Sequence, residues 1–309
     1  MSDTLVILPG FGQSALRSSA GVLWPPAVDG DAVIGKMKGP FMKLLFFRRD
    51  AGFTDTAASL FREYSAPLSF TDGGEPASEV KASSSVGMLG AGFPEDALKA
   101  VYGEKIYVFG YHFLRSPLEN ADALSAFLKE KEIGRADFLT LNFGADVFLA
   151  FLSRHTAAAV DRAVLLSPCF EGLSLVADAY AGTVTGDTVR DYLGKLENKT
   201  VASFREILKM VPADVFETLV QKLLSAAMDD VMLRSPGAWA AVEQSRLAAL
   251  AADRLPSLPA VREKATAFAG ILNDRASLLP EGAVTVDGER FAVTSEMWEK
   301  AVRSLSGER

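Results

Sequence analysis

The chain has 309 residues, a formal net charge of −7 and 49% apolar residues. That length and apolar content support a buried core, which excludes intrinsic disorder as the general state. No dense Lys/Arg cluster supports nucleic-acid binding, and the single cysteine, Cys169, excludes an intramolecular disulfide or a Cys-rich zinc site.

The opening, MSDTLVILPG, has no basic region and only a short apolar run, so no signal peptide is expected. No stretch reaches the ~18 apolar residues that a membrane span requires, and the expected location is the cytoplasm. TLVILP (4–9) predicts a first buried strand, followed by the glycine-rich PGFGQS. That loop lacks both the Lys-Ser/Thr of a phosphate loop and the third glycine of a dinucleotide fingerprint. KLLFF (43–47) predicts a second strand, and SFTDGGEPASEVKASSS (69–85) an exposed loop. KIYVFG (105–110), ADFLTL (136–141), RAVLLS (162–167) and TAFAGIL (266–272) predict further strands. Most are apolar without alternation, as in a parallel sheet covered on both faces. Between them, SPLENADALSAFLKEKE places Leu118, Ala121, Leu124 and Leu128 on one helical stripe, and ADVFLAFLSRH predicts a helix straight after the turn at 142–144. The alternation of strand and helix from 105 to 167 implies a doubly wound, mostly parallel α/β sheet. Residues 172–262 read as helices alone, in TGDTVRDYLGKLEN, SFREILKMV, DVFETLVQKLLSAAMDDVML and GAWAAVEQSRLAALAADRL. They predict a helical cap inserted within a single domain spanning 1–309.

Several segments carry a family resemblance. VILPGFGQSALRSSAGVLWPP, YVFGYHFLRSPLENADAL, LLSPCFEG, SFREILKMVP, GAWAAV and VDGERFAVTS resemble, in order, motifs of the lecithin–cholesterol acyltransferase-like family of α/β hydrolases. The resemblance implies an α/β-hydrolase fold with oxyanion donors from the loop at Phe11 and Gly12, a Gly-x-Ser-x-Gly nucleophile elbow, and a catalytic acid at Asp287. The departures fall on the chemistry. The elbow region reads Leu141-Asn142-Phe143-Gly144-Ala145, which puts Phe143 in place of the serine and leaves Gly144 as the expected left-handed residue. The chain has only two histidines, His112 and His155, both upstream of Asp287. His112 stands where the resembled motif has aspartate, and Leu114 where it has arginine.

An orienting carboxylate needs an imidazole to orient, so Asp287 alone performs no chemistry, and Asp274 is a weaker alternative acid. Cys169, Ser14 and Ser167 lack a visible base, which a nucleophile ordinarily needs. His155 reads as a helix C-terminal residue set against the dipole, and His112 as a capping or loop-bonding group. The favoured reading is a non-catalytic α/β-hydrolase-fold protein. It would act by binding a protein partner (a homo- or hetero-oligomer with a related hydrolase) or an apolar ligand near Phe11, Gly12, Phe143 and Phe170. Two alternatives stand beside it: an ester hydrolase or acyltransferase with a displaced active site built on His112, and an acyl-chain or lipid carrier. No cofactor or metal is implied.

Overall fold

The computed structural model describes residues 3–19, 21–25, 30–90, 92–155, 157–195, 209–287 and 293–307. Five strands form the central sheet: β1 (Leu5–Leu8), β5 (Ile106–Val108), β6 (Ala136–Leu141), β7 (Val160–Leu166) and β8 (Val284–Val286). Their order is β5-β1-β6-β7-β8, and every pair is parallel. Counted within this sheet alone, the order is second, first, third, fourth, fifth. This is a doubly wound arrangement whose strand order reverses beside β1. Leu8 lies opposite Thr140, so the loops leaving β1 and β6 emerge side by side at the carboxyl end of the sheet.

Both faces are covered, for the reason the apolar runs suggested. Val6, Leu8 and Phe138 point to one face, where they pack with α4 (Pro117–Glu130) and α5 (Gly144–Arg154) and with Phe268 and Leu272 of the Pro259–Asn273 helix. Leu5, Ile7, Leu139 and Leu141 point to the other face. There they meet Leu98 and Tyr102 of α3 (Glu95–Tyr102) and Met297, Trp298, Ala301 and Leu305 of the last helix, Ser295–Ser306. The strand period of two sends neighbouring residues to opposite faces, so both sets must be apolar. A small antiparallel sheet, β3-β2-β4, combines β2 (Ala15–Ser18), β3 (Gly21–Trp24) and β4 (Lys81–Ser83).

Between β7 and β8 the described elements are helices, Ser174–Ala181, Gly186–Lys195, Ala213–Ala227, a π-helical turn at Met228–Met232, Pro236–Ala240, Gln244–Arg254, Pro259–Asn273 and Arg275–Leu278, with one parallel bridge between Leu173 and Val242. Tyr180 stacks on Trp239 with ring centroids 4.0 Å apart. Their polar tips donate to Met232 O (2.6 Å) and Leu233 O (3.0 Å). Two large aromatics are thereby buried without orphaned donors. Most of the helix expected over 203–211 lies outside the described residues, and no described helix is long and apolar enough to cross a membrane.

Two expected strands are helices. KLLFF ends α1 (Gly30–Phe47); it has no β-branched residue, and Leu and Lys are good helix formers. TAFAGIL belongs to the Pro259–Asn273 helix, which begins on a proline at its first turn and buries Val261, Ala265, Phe268 and Leu272 at helical spacing. Asp274 therefore caps a helix and does not end a strand. The expected loop over 69–85 contains β4 and a Phe70–Pro76 bridge, with Phe70 buried.

Gly144, at the start of α5, lies so close to β1 that a methyl group there would collide with the carbonyl oxygens of Leu8 and Pro9. Gly144→Ala is therefore expected to cost about 1–3 kcal/mol of unfolding free energy, measured by urea denaturation. A loss of only a few tenths would show that helix and strand can move apart freely.

Candidate functional site

The loop after β1 and the turn after β6 meet where the sheet order reverses, the usual ligand position in a doubly wound sheet. Asn142 is the first residue beyond β6 and has φ +48°, while Phe143 has φ −62° and ψ −17° and begins the helical run. Gly144 is not left-handed, which corrects the sequence expectation there; the left-handed residue is Asn142. The strained residue of a nucleophile elbow sits at this strand-to-helix turn. Asn142, and not Phe143, thus takes the turn position that the resemblance would assign to a nucleophile, with Thr140 and Gly144 two residues to either side.

The Asn142 carboxamide also uses a donor that catalysis would need. Its Oδ1 accepts the Phe143 backbone N–H at 2.8 Å. In a working elbow, the N–H after the nucleophile is one of the two oxyanion donors. The loop after β1 shows a similar closure, since Gln13 Oε1 accepts the Gly10 N–H at 2.7 Å and Gln13 Nε2 donates to Leu89 O at 3.3 Å. Further bonds hold this loop: Trp24 Nε1 donates to Gly12 O (2.7 Å), Ser84 Oγ to Gln13 O (2.8 Å) and the Tyr111 N–H to Ser14 Oγ (3.1 Å). Sequence reasoning missed Gln13, because its role depends on contacts with Gly10 and Leu89 that only the fold creates.

Neither histidine serves the elbow. His112 is 5% exposed, and neither ring nitrogen has a hydrogen-bond partner. Its ring lies edge-on to Phe70 at 5.6 Å, so the expected capping or loop-bonding role belongs to its backbone oxygen, which accepts from Arg115 N (2.8 Å) and Asn120 Nδ2 (3.1 Å). The displaced active site built on His112 lacks the carboxylate it required. His155 ends α5 as expected, stacked on Phe151 with Nε2 3.0 Å from Asp122 Oδ1. The eleven-residue helix separates it from the elbow by roughly 16 Å.

Phe11 and Phe143 are brought together, with ring centroids 5.6 Å apart and edge-on, and Phe11 continues to Phe113 (4.8 Å) and Phe113 to Trp24 (5.7 Å). Phe143 is buried, whereas Phe11 is 40% exposed and lines a cavity of about 440 Å³. Other walls come from Phe61 and Ser65 of α2 (Phe53–Ser65), from Leu114, and from Leu173, Val231 and Met232 of the helical insertion. Nearly the whole lining is apolar, yet the buried Ser65 Oγ has no partner. Phe170 and Asp287 stand elsewhere. They line a separate, more polar cavity of about 400 Å³ with Ser167, Glu171, Arg275 and Thr285, and Asp287 is exposed. Among the described residues no cluster of His, Cys, Asp and Glu could hold a metal.

Two buried ionisable groups flank this region with opposite consequences. Burial, and then the Arg115 charge, lowers the His112 pKa from 6.5 to about 4. The unfolded chain takes up this proton near pH 6.5 and the fold does not, so stability is lost as pH falls through the window from 6.5 to 4. The loss amounts to about 3 kcal/mol. His112→Phe is expected to flatten that acid limb in melting temperatures measured against pH; an unchanged limb would assign it to other groups. Asp146, in the first turn of α5, is 1% exposed with both oxygens unpartnered, and burial holds its carboxyl well above the usual range. The fold retains a proton that the unfolded chain releases above about pH 3.8, so stability falls as pH rises from there. Asp146→Asn is expected to raise stability at pH 8 and leave it nearly unchanged at pH 3, as read by denaturant midpoints. A gain of equal size at both values would rule out the ionisation as its cause.

No family model and no curated protein matches the sequence. Among solved structures, the chain is similar to one in the crystal structure of the Tle4-Tli4 complex, at 14% identity and a TM-score of 0.35. The match covers 79% of this chain and 55% of that one, and so spans about half the length of its neighbour. A superposition this loose carries no argument about function.

Proposed function

We propose that the chain is a non-catalytic α/β-hydrolase-fold protein, related to the lecithin–cholesterol acyltransferase-like family, that binds an apolar, acyl-type ligand in the cavity beside the elbow. The observation that carries this reading is Asn142: it takes the strained turn position, offers no nucleophilic hydroxyl or thiol, and closes on the Phe143 N–H. Removing one member of a catalytic triad leaves only roughly 10³–10⁴-fold acceleration over water, supplied by the oxyanion hole and binding. Here the nucleophile and the imidazole are both missing at the turn, and the donor behind that residual rate already has an internal acceptor.

The cavity supports the binding half of the proposal. At about 440 Å³ it falls within the range of small-molecule sites, and apolar walls with few polar groups are their ordinary composition. Ser65 Oγ supplies a hydrogen-bonding group for a ligand that is otherwise hydrocarbon. The helices between β7 and β8 act in this proposal as the cap that closes the site, within one domain. Phe11 lines it with Trp24 and Phe113; Phe143 is buried behind Phe11, Gly12 is not part of the lining, and Phe170 belongs to the neighbouring cavity.

Purified protein is expected to show no turnover of short or long acyl esters and no labelling by a fluorophosphonate. Asn142→Ser, which restores the hydroxyl without an imidazole, is expected to remain inactive; stoichiometric labelling of the unaltered chain would end the non-catalytic reading. Native mass spectrometry of protein purified from cells is expected to show a bound lipid, lost in Ala241→Trp or Val231→Trp, which fill the cavity. A clean apo mass for the unaltered chain would end the binding reading.

A further inference from the structure

We propose that the outward face of α1 is a docking surface for an anionic lipid bilayer. Isolated exposed apolar residues are ordinary on protein surfaces, but α1 concentrates them: Ile34 is 62% exposed, Met42 42%, Phe46 75% and Phe47 62%. Positions 34, 38, 42 and 46 are four apart and form one ridge along the helix. Part of the helix is already in use, since Leu44 is buried and Phe41 packs on Phe53 with centroids 5.8 Å apart. The exposed apolar side chains of α1 stand outside that packed part.

Charge selects the occupant. The helix and the turn after it, residues 30–50, carry five cations, Lys36, Lys38, Lys43, Arg48 and Arg49, and two acids, Asp31 and Asp50 at the two ends, within a chain of net charge −7. These cations form no dense run in sequence; Lys38 lies on the ridge itself, and Arg48 and Arg49 directly follow the exposed Phe46 and Phe47. Lys36 pairs with Glu63 at 2.7 Å, and the Arg49 guanidinium lies 5.8 Å from the Phe47 ring centroid. Lys38, Lys43 and Arg48 are exposed and face no acid among the described residues. Apolar side chains flanked by Lys and Arg are the composition of a helix that lies in a bilayer interface, with rings among the acyl chains and cations at the headgroups. A negatively charged molecule is repelled by an anionic surface except where such a face is presented, so the same residues fix the orientation of approach.

A second copy fits poorly, because a two-fold interface would set this cationic face against itself. Nucleic acid would engage the cations but leave Ile34 and Met42 without a role. The inference does not depend on the cavity ligand, although α2, which packs against α1, contributes Phe61 and Ser65 to the cavity wall.

Co-sedimentation of the full chain with phosphatidylcholine vesicles, with and without phosphatidylserine, tests the proposal. Binding is expected only when phosphatidylserine is present. It is expected to weaken about tenfold or more with added salt, in Lys38→Glu/Lys43→Glu, and in Phe46→Ser/Phe47→Ser. Both double variants change only exposed residues and are expected to keep the parent's melting temperature. Absence of binding, equal binding to both vesicle compositions, or parental affinity in both variants would overturn the proposal. So would a concentration-dependent dimer in sedimentation velocity that Phe46→Ser/Phe47→Ser abolishes.

Discussion

The contact on which the rest of the site depends is the approach of the start of α5 to the end of β1 at Gly144. The chain must leave β6, reverse, and pass its first helical turn against the carbonyls of Leu8 and Pro9, where no Cβ fits. This reversal requires a left-handed residue directly after the strand, and Asn142 supplies it. Asparagine is among the few non-glycine residues that accept this conformation at low cost, because its short carboxamide bonds locally. The Phe143 N–H is the group it bonds. One backbone constraint therefore sets the identity of residue 142, the direction of α5 and the closure of a donor at the switch point.

The polar groups buried near this turn show what the fold tolerates to keep it. His112 and Asp146 each lose solvent without gaining a hydrogen bond, and each responds by remaining neutral. In a catalytic centre such groups would be paired so that their protonation states serve a reaction. Here the imidazole faces phenylalanine rings, and burial is what keeps both groups neutral, with the Arg115 charge adding to it at the imidazole. The two titrations act in opposite directions over the same acid range: raising the pH from 4 to 6.5 relieves the cost of His112, while raising it above about 3.8 adds the cost of Asp146.

The sheet was legible because its strands are apolar on both faces, and β1, β5, β6 and β7 each appear as a run without alternation. The same rule fails for KLLFF and TAFAGIL. A short apolar run does not distinguish a strand from a slice of buried helix, and only the wider window, with Pro259 at one end and Asn273 at the other, shows the 3.6-residue period. The elbow was legible as a strand, a turn and a helix, but its register was not. Phe143 looks like the centre of the turn in sequence, yet Leu141 still belongs to β6 and the reversal happens at Asn142. Phe11 and Phe143 meet because they lie within the two loops that the topology brings together. Gln13, Ser65 and the cavity walls were not, since they join segments far apart in the chain.

On the proposed non-catalytic reading, the asparagine also accounts for how an elbow can outlast its chemistry. A serine at this turn is held in strain because the exposed hydroxyl it presents does useful work. Without an imidazole to take the proton, that strain has no return, and a residue that relieves it through a local bond is favoured. Asn142 provides the relief while leaving the helix, the sheet edge and the cavity beside Phe11 where a catalytic relative would need them. Catalysis needs several groups acting together, whereas a cavity needs only its walls, so on that reading binding stands without the chemistry.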